Sequence, residues 1–271
     1  MTAAGERWRR ELEAWAIPEE ILAAAPESPW TFPTELFATR ADAAVEHPTP
    51  SAERASEALE TGGSVLDVGS GAGAASLPMA ARAGHITAVD TSPAMLDAFR
   101  ERAVRAGVAH DAIVGAWPDV AGSTGAADVV VCNHVLYNVA NLDAFVAALT
   151  AHARARVVVE LSPTHPASDL NPLWLRFHGL SRPTEPTADD AVAVIRETLG
   201  VEPDRDDWVA PPRGTLRREE MVAWTRRRLC LPPDRDPEIA AAIAERLVEH
   251  DGRVSFGPRP VVTLWWPGAA V

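Results

Sequence analysis

The stretch that decides the fold is Val65-Leu66-Asp67-Val68-Gly69-Ser70-Gly71-Ala72-Gly73. An apolar run that contains one acid is followed by three glycines at alternate positions. Glycine adopts backbone conformations that a side chain forbids, and it lets the backbone approach a ligand closely. We interpret the stretch as a buried strand that enters a tight turn, from which a helix over about 74–83 departs. Such a turn presents backbone N–H groups to a nucleotide-like cofactor.

A second motif follows one strand later, at His85-Ile86-Thr87-Ala88-Val89-Asp90-Thr91-Ser92-Pro93-Ala94-Met95-Leu96. A short strand ends in an acid, Ser92 can cap the next helix, and Pro93 suits its first position. Ligands of an open α/β sheet bind beyond the carboxyl ends of its strands. We therefore expect Asp67 and Asp90 to lie at the same edge of the sheet.

Two cofactors compete for this edge. The dinucleotide fingerprint is G-x-G-x-x-G with an acid about 20 residues further on, and Asp90 would serve NAD equally well. Here the glycines alternate, and Ala74 holds the third position of that fingerprint as a small alternative. Asp67 precedes the loop, where its charge would repel pyrophosphate. The pattern D-x-G-x-G-x-G resembles motif I of the class I S-adenosylmethionine-dependent methyltransferases, and VDTSPAML resembles their motif II.

This resemblance covers residues 64 to about 165 and implies S-adenosyl-L-methionine as cofactor, with S-adenosyl-L-homocysteine as product. In that family the glycine turn passes the amino-acid half of the cofactor. The leading acid orients the methionine amine, and the second acid accepts both ribose hydroxyls. The cofactor site implied here comprises Asp67, Gly69, Ser70, Gly71, Gly73, Asp90, Thr91, Met95, Ala116, Trp117, Asn133 and His134.

The adenine end of this site departs from the family pattern. Members usually carry an acid where this chain has Ala116, and that acid accepts the adenine amino group. The backbone of Ala116 or Trp117, and stacking on the Trp117 indole, are left for this task. Two alternatives stay open: Trp117 as a core side chain, and Met95 as plain helix core.

The candidate catalytic residues are His134, Tyr137 and His165, which follow the predicted fourth and fifth strands. An imidazole is the side chain best suited to act as a general base near neutral pH. The alternative for His134 is a structural role that shapes the pocket. Tyr137, the only tyrosine, either orients an acceptor or packs, and Glu160 is expected to face the same cleft. The histidine spacing matches no usual ligand pattern, so we predict no metal site.

Strands alternate with helices from Ser64 onward, which predicts an α/β fold. We expect a doubly wound, mostly parallel, seven-stranded Rossmann-like sheet with helices on both faces. The order 3-2-1-4-5-7-6, typical of the resembling family, fits the strands found. Residues 1–60 are predicted to form an N-terminal helical cap and residues 61–271 the methyltransferase domain. Helical lid insertions are predicted at about 163–186 and 211–250, with the last helix over 237–248.

Composition limits the partners. The chain has 271 residues and a formal charge of −13, which argues against a nucleic-acid substrate. The arginine-rich segment 213–228 is expected to form a solvated helix face. Without lysine, Schiff-base and Walker-type chemistry are excluded. No apolar run reaches the length of a membrane span. Two cysteines make no disulfide framework, which predicts a cytoplasmic protein.

The function predicted is methyl transfer from S-adenosylmethionine to a small molecule by in-line displacement, which needs mainly alignment and exclusion of water. Aromatic residues in the cap and lid predict an apolar or aromatic acceptor; they are Trp30, Phe32, Phe37, Trp174 and Phe177. Two alternatives stay open: an NAD-dependent oxidoreductase, and a non-catalytic S-adenosylmethionine-binding regulatory protein. We expect neither a nucleic-acid nor a membrane partner, and the oligomeric state is left open, a homodimer included.

Overall fold

The structure, a computed structural model, describes residues 1–30, 41–211 and 216–269. Nine strands occur in this part of the chain. They are β1 (Ser64–Val68), β2 (His85–Asp90), β3 (Ala109–Val114), β4 (Ala127–Asn133), β5 (Ala153–Leu161), β6 (Asp204–Ala210), β7 (Val248–His250), β8 (Arg253–Ser255) and β9 (Arg259–Pro267). Seven of them form one sheet in the order β3-β2-β1-β4-β5-β9-β6. The predicted order is confirmed, since β9 is the seventh strand of this sheet.

The sheet is parallel from β3 to β5, and β9 runs antiparallel to both β5 and β6. Four of the five residues of β1 are buried, as are five of the seven of β4. Strands covered on both faces are read in sequence as continuous apolar runs, which is why these two were predictable. The parallel arrangement brings the carboxyl ends of β1, β2, β4 and β5 to one edge.

Helices cover both faces of the sheet. Their bounds are α1 (Ala3–Glu13), α2 (Glu19–Ala24), α3 (41–46), α4 (Pro50–Ala58), α5 (Pro93–Ala106), α6 (Leu142–Ala151), α7 (Asn171–His178), α8 (Ala188–Leu199), α9 (Arg218–Arg228) and α10 (Asp236–Ile243). Ser92 caps α5 by accepting from the Met95 N–H, with Pro93 in the first position, as the sequence predicts. No described helix has the length and apolar character needed to cross a bilayer.

The helix predicted over 74–83 is wrong. Turns occupy this segment, with a short 3-10 helix at Leu77–Met79. Pro78 has no N–H to donate and its ring clashes with the carbonyl four residues earlier, so a continuous α-helix cannot pass through it. Isolated α-type bonds flank it, from Leu77 N to Gly73 O (3.0 Å) and from Ala83 N to Met79 O (2.8 Å).

The segment after α10 also differs from the prediction. The helix expected to reach Val248 ends at Ile243, a 3-10 turn follows, and β7 and β8 form a hairpin. Asp251 and Gly252 at its turn have φ of 49° and 71°. Asp-Gly is a strong hairpin signal because both central residues of a type I′ turn need positive φ.

The helices pack into different apolar clusters. α1 packs into the main core, where Trp8 is fully buried and its Nε1 donates to Val139 O at 2.9 Å. The segments predicted to form a lid do not pack into this main core but against each other. α7, α9 and α10 share a separate apolar cluster, against which Ile17 and Ile21 also pack.

The arginine-rich segment is only partly solvated. Arg217 pairs with Glu220 at the surface, but Arg226 is buried and lies 2.7 Å from Glu27 and 2.9 Å from Asp236. The prediction of a solvated helix face is therefore wrong for Arg226, because the last turn of α9 packs in the separate apolar cluster of α7, α9 and α10, called the lid cluster below. Arg213, Phe32 and Phe37 lie outside the described residues.

Candidate active site

The glycine loop follows β1 and contacts β2 and the segment after β4. Gly69, Gly71 and Gly73 have φ of 70°, 52° and 92°, a region that favours glycine. The N–H of Gly69 donates to Val89 O at 2.8 Å, which ties the loop to β2. A Cβ on Gly69 would lie 2.3 Å from Val135 Cγ2, whereas a Cβ on Gly71 would meet no described atom within 4 Å. The loop therefore packs against the segment after β4 and leaves open space beside Gly71.

Asp90 is fixed at the end of β2. Its Oδ2 accepts from the Gly71 N–H and its Oδ1 from the Ser92 N–H, both at 2.8 Å. An ionised carboxylate oxygen can accept more than one hydrogen bond. Asp90 is partly exposed, so both oxygens keep capacity for further donors, such as the hydroxyls of a ribose. Thr91 is exposed and Met95 is half-buried beside it.

Asp67 is fully buried at the end of β1. Its Oδ2 accepts from the Ser76 hydroxyl at 2.6 Å, and its Oδ1 has no hydrogen-bond partner among the described residues. Burial, assisted by the charge of Asp90, raises the pKa of Asp67 to about 7 against the lowering effect of Ser76. A cationic donor would satisfy the orphan oxygen and favour the ionised form.

The adenine corner favours one of the alternatives left open by the sequence. Trp117 is buried, and its ring packs edge-to-face on His152 with centroids 4.8 Å apart. The loop after β3 turns back into the main core at this point, so the indole is a core side chain in this structure. Ala116 is exposed, and Gly115 N donates to Asp90 O at 3.0 Å, which keeps the end of β3 beside β2.

His134 and Glu160 meet at the ends of β4 and β5. His134 has a φ of 60°, which is unusual for a residue with a side chain, and its N–H donates to Glu160 O at 2.6 Å. The imidazole Nε2 lies 3.0 Å from Glu160 Oε1. The side chain of His134 is 37% exposed, while that of Glu160 is 8% exposed. A half-exposed imidazole is thus backed by a buried carboxylate next to the glycine loop. Asn133, which immediately precedes His134, is half-buried.

A chain of buried hydroxyls supports Glu160 from behind. The Ser51 hydroxyl donates to Glu160 Oε2 at 2.6 Å and lies 2.7 Å from Thr263 Oγ1, which accepts from Trp208 Nε1 at 3.0 Å. Burial alone would raise the pKa of Glu160, but contacts with His134 and Ser51 outweigh it, and the pKa is lowered. Glu160 is therefore held as a carboxylate.

Tyr137 joins the two strand ends. Its hydroxyl donates to Ser162 O at 2.8 Å, and its ring stacks on Trp8 with centroids 5.5 Å apart. Burial raises the pKa of Tyr137. Tyr137 therefore links the segment that follows β4 to the segment that follows β5.

His165 lies in an aromatic group next to Tyr137. Its ring stacks on Trp15 with centroids 4.0 Å apart, and its Nδ1 accepts from the Ala167 N–H at 3.2 Å. Burial lowers the pKa of His165 to about 4, with further lowering by nearby arginines. A neutral, stacked imidazole of this kind forms a wall, whereas His134 has the surroundings suited to a base.

The lid aromatics are distributed differently from the expectation. Trp174 is buried in the lid cluster, where its ring stacks on His178 and receives the guanidinium of Arg182 at 5.0 Å. Phe177 is half-buried in the same cluster, and Trp30 is exposed. The aromatic side chains nearest the ends of β4 and β5 are instead those around Tyr137 and His165, which include Trp15.

Ser51 and Thr263 are site residues that the sequence analysis missed. Ser51 lies 109 residues before Glu160 in the sequence. Thr263 lies 212 residues after Ser51. Serine and threonine are common surface residues, and no spacing in the chain marks these two. The order of strands brings β9 beside β5, and α4 then crosses both.

Comparison with known proteins agrees with this geometry. Residues 65–156 match the family model described as a methyltransferase domain. No curated protein matches the chain. Among solved structures, the YcgJ protein from Bacillus subtilis has 15% identity and a TM-score of 0.52, with 82% of this chain and 99% of that chain covered. A putative methyltransferase from Bacillus halodurans C-125 has 15% identity and a TM-score of 0.52, with coverages of 80% and 96%.

A third structure is described as a putative sarcosine dimethylglycine methyltransferase from Galdieria sulphuraria. It has 12% identity and a TM-score of 0.52, with 92% of this chain and 96% of that chain covered. At such identities the solved structures show the fold alone, and the family rests on the matched residues and their motifs. Residues 65–156 of this chain are therefore similar to a methyltransferase domain.

Proposed function

We propose that this protein transfers a methyl group from S-adenosylmethionine to a small-molecule acceptor. The observation that carries the proposal is the open space beside Gly71. Gly71 lies in the loop that follows Asp67, and its N–H donates to Asp90 Oδ2. A phosphate site would not place a buried carboxylate at this position, because its charge would repel the ligand. This arrangement favours a cofactor with an ammonium group and a ribose over NAD.

The residues present fit this cofactor. Asp90 would accept the ribose hydroxyls, and the orphan Oδ1 of Asp67 would receive the methionine amine, directly or through a water. The backbone beside Gly71 would lie along the amino-acid half, and Ala116 would offer its main chain near the adenine. Thr91, Met95 and Asn133 complete the proposed set around the edge.

The chemistry asks little more of the chain than placement. S-adenosylmethionine, when bound, supplies an electrophilic methyl group on a sulfonium sulfur. The fold contributes by holding the acceptor in line and excluding water, which can supply most of the rate enhancement of a displacement between two bound molecules. Tyr137 stabilises the ends of β4 and β5, between which the acceptor would lie.

The acceptor that these surroundings favour has an apolar or aromatic part. Trp15, Tyr137 and His165 form an aromatic group next to the strand ends, in which Trp15 stacks on His165 and Tyr137 packs edge-to-face on it. Rings of this kind offer large flat surfaces, with little loss of side-chain entropy when a planar molecule packs on them. A non-catalytic cofactor-binding protein is the second candidate, because the chain lacks the usual acid at Ala116.

Incubation with methyl-labelled S-adenosylmethionine and a panel of phenols, amines, thiols and carbon acids separates these candidates. The expected result is label in one class of acceptor, with an equal amount of S-adenosylhomocysteine formed. Tight binding of S-adenosylhomocysteine without transfer to any class would favour the regulatory protein. Oxidation of a panel member with NAD would contradict both.

A further inference from the structure

We infer that His134 and Glu160 act as a general-base pair and that the acceptor is therefore a hydroxyl group. The inference rests on the proposed function and names the class of its substrate. A carboxylate is already ionised near neutral pH, and an ammonium nitrogen has no lone pair until its proton has left, so neither gives up a proton during the methyl transfer itself. A phenol or alcohol must lose its proton as the methyl arrives, so a built base points to an O–H acceptor.

The tautomer of His134 follows from its partner. An ionised carboxylate only accepts hydrogen bonds, so the Nε2 atom that lies 3.0 Å from Glu160 Oε1 must carry the hydrogen. The lone pair of the neutral ring is then on Nδ1, which has no hydrogen-bond partner among the described residues. The imidazole is 37% exposed at the edge that carries the glycine loop.

The hydroxyl chain behind Glu160 has a single direction. Trp208 Nε1 can only donate, so it donates to Thr263; the Ser51 hydrogen is used on Glu160 Oε2, so the Thr263 hydrogen must go to Ser51. This series of hydrogen bonds ends with the Ser51 hydroxyl donating to Oε2, which leaves Oε1 for His134. A buried carboxylate held in this way stabilises the imidazolium that forms when the ring takes up a proton.

The position of His134 also indicates function. Its φ of 60° places a residue with a side chain in the left-handed region, at the end of a central strand. Conformations of this kind cost free energy and cluster at active sites. Val135, the next residue, fills the space that Gly69 leaves free, so the backbone of this segment is pressed against the glycine loop.

The step balances without a further reactant. As the acceptor oxygen bonds to the methyl carbon, the carbon–sulfur bond breaks and its electron pair stays on sulfur. The hydroxyl proton passes to Nδ1 of His134, and Glu160 pairs with the resulting imidazolium. The exposed ring then returns the proton to water. Glu160 is a positioning residue here, because it touches the base and not the acceptor.

The first experiment reads the tautomer directly. Long-range proton–nitrogen NMR of the nitrogen-labelled protein shows which ring nitrogen carries hydrogen, with the His134 signals assigned as those lost in His134→Ala. We expect the Nε2–H form in the wild type. In Glu160→Gln, Ser51 keeps the amide oxygen, so the amide NH₂ faces Nε2 and should switch the ring to the Nδ1–H form. Glu57→Gln, a surface change on α4, should not.

The second experiment uses substituted phenols of graded acidity as acceptors with labelled S-adenosylmethionine. Glu160→Gln should lower kcat by about 100-fold or more, with KM little changed, because the ring presents a hydrogen where it must accept one. The loss should shrink for p-nitrophenol, which is largely ionised before it binds. Thiols, amines and carbon acids as the methylated classes, or no methylated phenol, would overturn the hydroxyl assignment.

Failure of this inference is distinguishable from failure of the proposed function. Calorimetry with S-adenosylhomocysteine should give the same affinity, within about twofold, for the wild type and Glu160→Gln. An unchanged His134 tautomer in Glu160→Gln overturns the pair even when the cofactor binds. Absence of binding in both proteins overturns the proposed function and therefore the inference with it.

Discussion

Among the described carboxylates, Asp67 is the most deeply buried. Its side chain is fully buried, and burial raises its pKa from 3.8 to about 7. A raised folded-state pKa means that the protonated group stabilises the fold at low pH. This stabilisation is lost as the pH rises from about 4 through 7. An ammonium ligand reverses the preference, because it favours the charged carboxylate.

We predict that the affinity for S-adenosylhomocysteine depends on the ionisation of Asp67. Below pH 7 the affinity should fall by up to about tenfold per pH unit, because one proton must leave before the amine binds. Calorimetry between about pH 5 and 8 measures the slope. Asp67→Asn should bind weakly and without this slope, while Asp97→Asn on the exposed face of α5 should behave as the wild type. A flat profile in the wild type would remove Asp67 from the amine site.

At the scale of elements, the glycine loop offers a matched pair of substitutions. Gly71 and Gly62 both have positive φ, and an added Cβ at either would meet no described atom within 4 Å. Gly71→Ala and Gly62→Ala should therefore cost similar stability, about 1 kcal/mol each, from backbone strain alone. Only the Gly71 variant should bind S-adenosylhomocysteine more weakly, because its methyl group occupies the proposed cofactor space. Urea unfolding and calorimetry check the two effects, and equal affinities would place the cofactor elsewhere.

The same elements show what sequence reasoning can reach. β1, β2 and their acids were predictable, because a buried strand followed by a glycine turn or a capped helix is a local pattern. The prediction of a helix over 74–83 is wrong because of Pro78, whose effect on a continuous helix is also local. Contacts between Ser51, Glu160 and Thr263 depend on strand order and helix crossing, so no local pattern carries them.

At the scale of the whole molecule, α1 is part of the main apolar core that covers the sheet. Trp8 is fully buried there, whereas Trp30 is 58% exposed. We predict that Trp8→Ala lowers the free energy of unfolding by about 3–5 kcal/mol, because a large cavity is left. Trp30→Ala should change it by less than about 0.5 kcal/mol. Urea unfolding followed by circular dichroism measures both. An early, separate transition in the Trp8 variant would show that residues 1–60 fold as a cap on their own.

The whole-molecule comparison also separates what is shown from what is proposed. The fold follows from the seven-stranded order, and residues 65–156 match a methyltransferase domain, in agreement with the sequence motifs. The acceptor does not follow from the motifs, because the residues next to its proposed position come from the segment after α1, the loop after β5 and the ends of β4 and β5. Those segments meet only in the folded chain.

Parallel calorimetric titrations of the protein with S-adenosylhomocysteine and with NAD test the central claim most directly. We predict that S-adenosylhomocysteine binds with a Kd of about 10 μM or tighter and that NAD gives no measurable heat of binding. Asp90→Ala should weaken the first by roughly 1–3 kcal/mol through loss of charge-assisted hydrogen bonds. Binding of NAD with no binding of S-adenosylhomocysteine, or an unchanged affinity in Asp90→Ala, would contradict the assignment of this edge as a methyltransferase cofactor site.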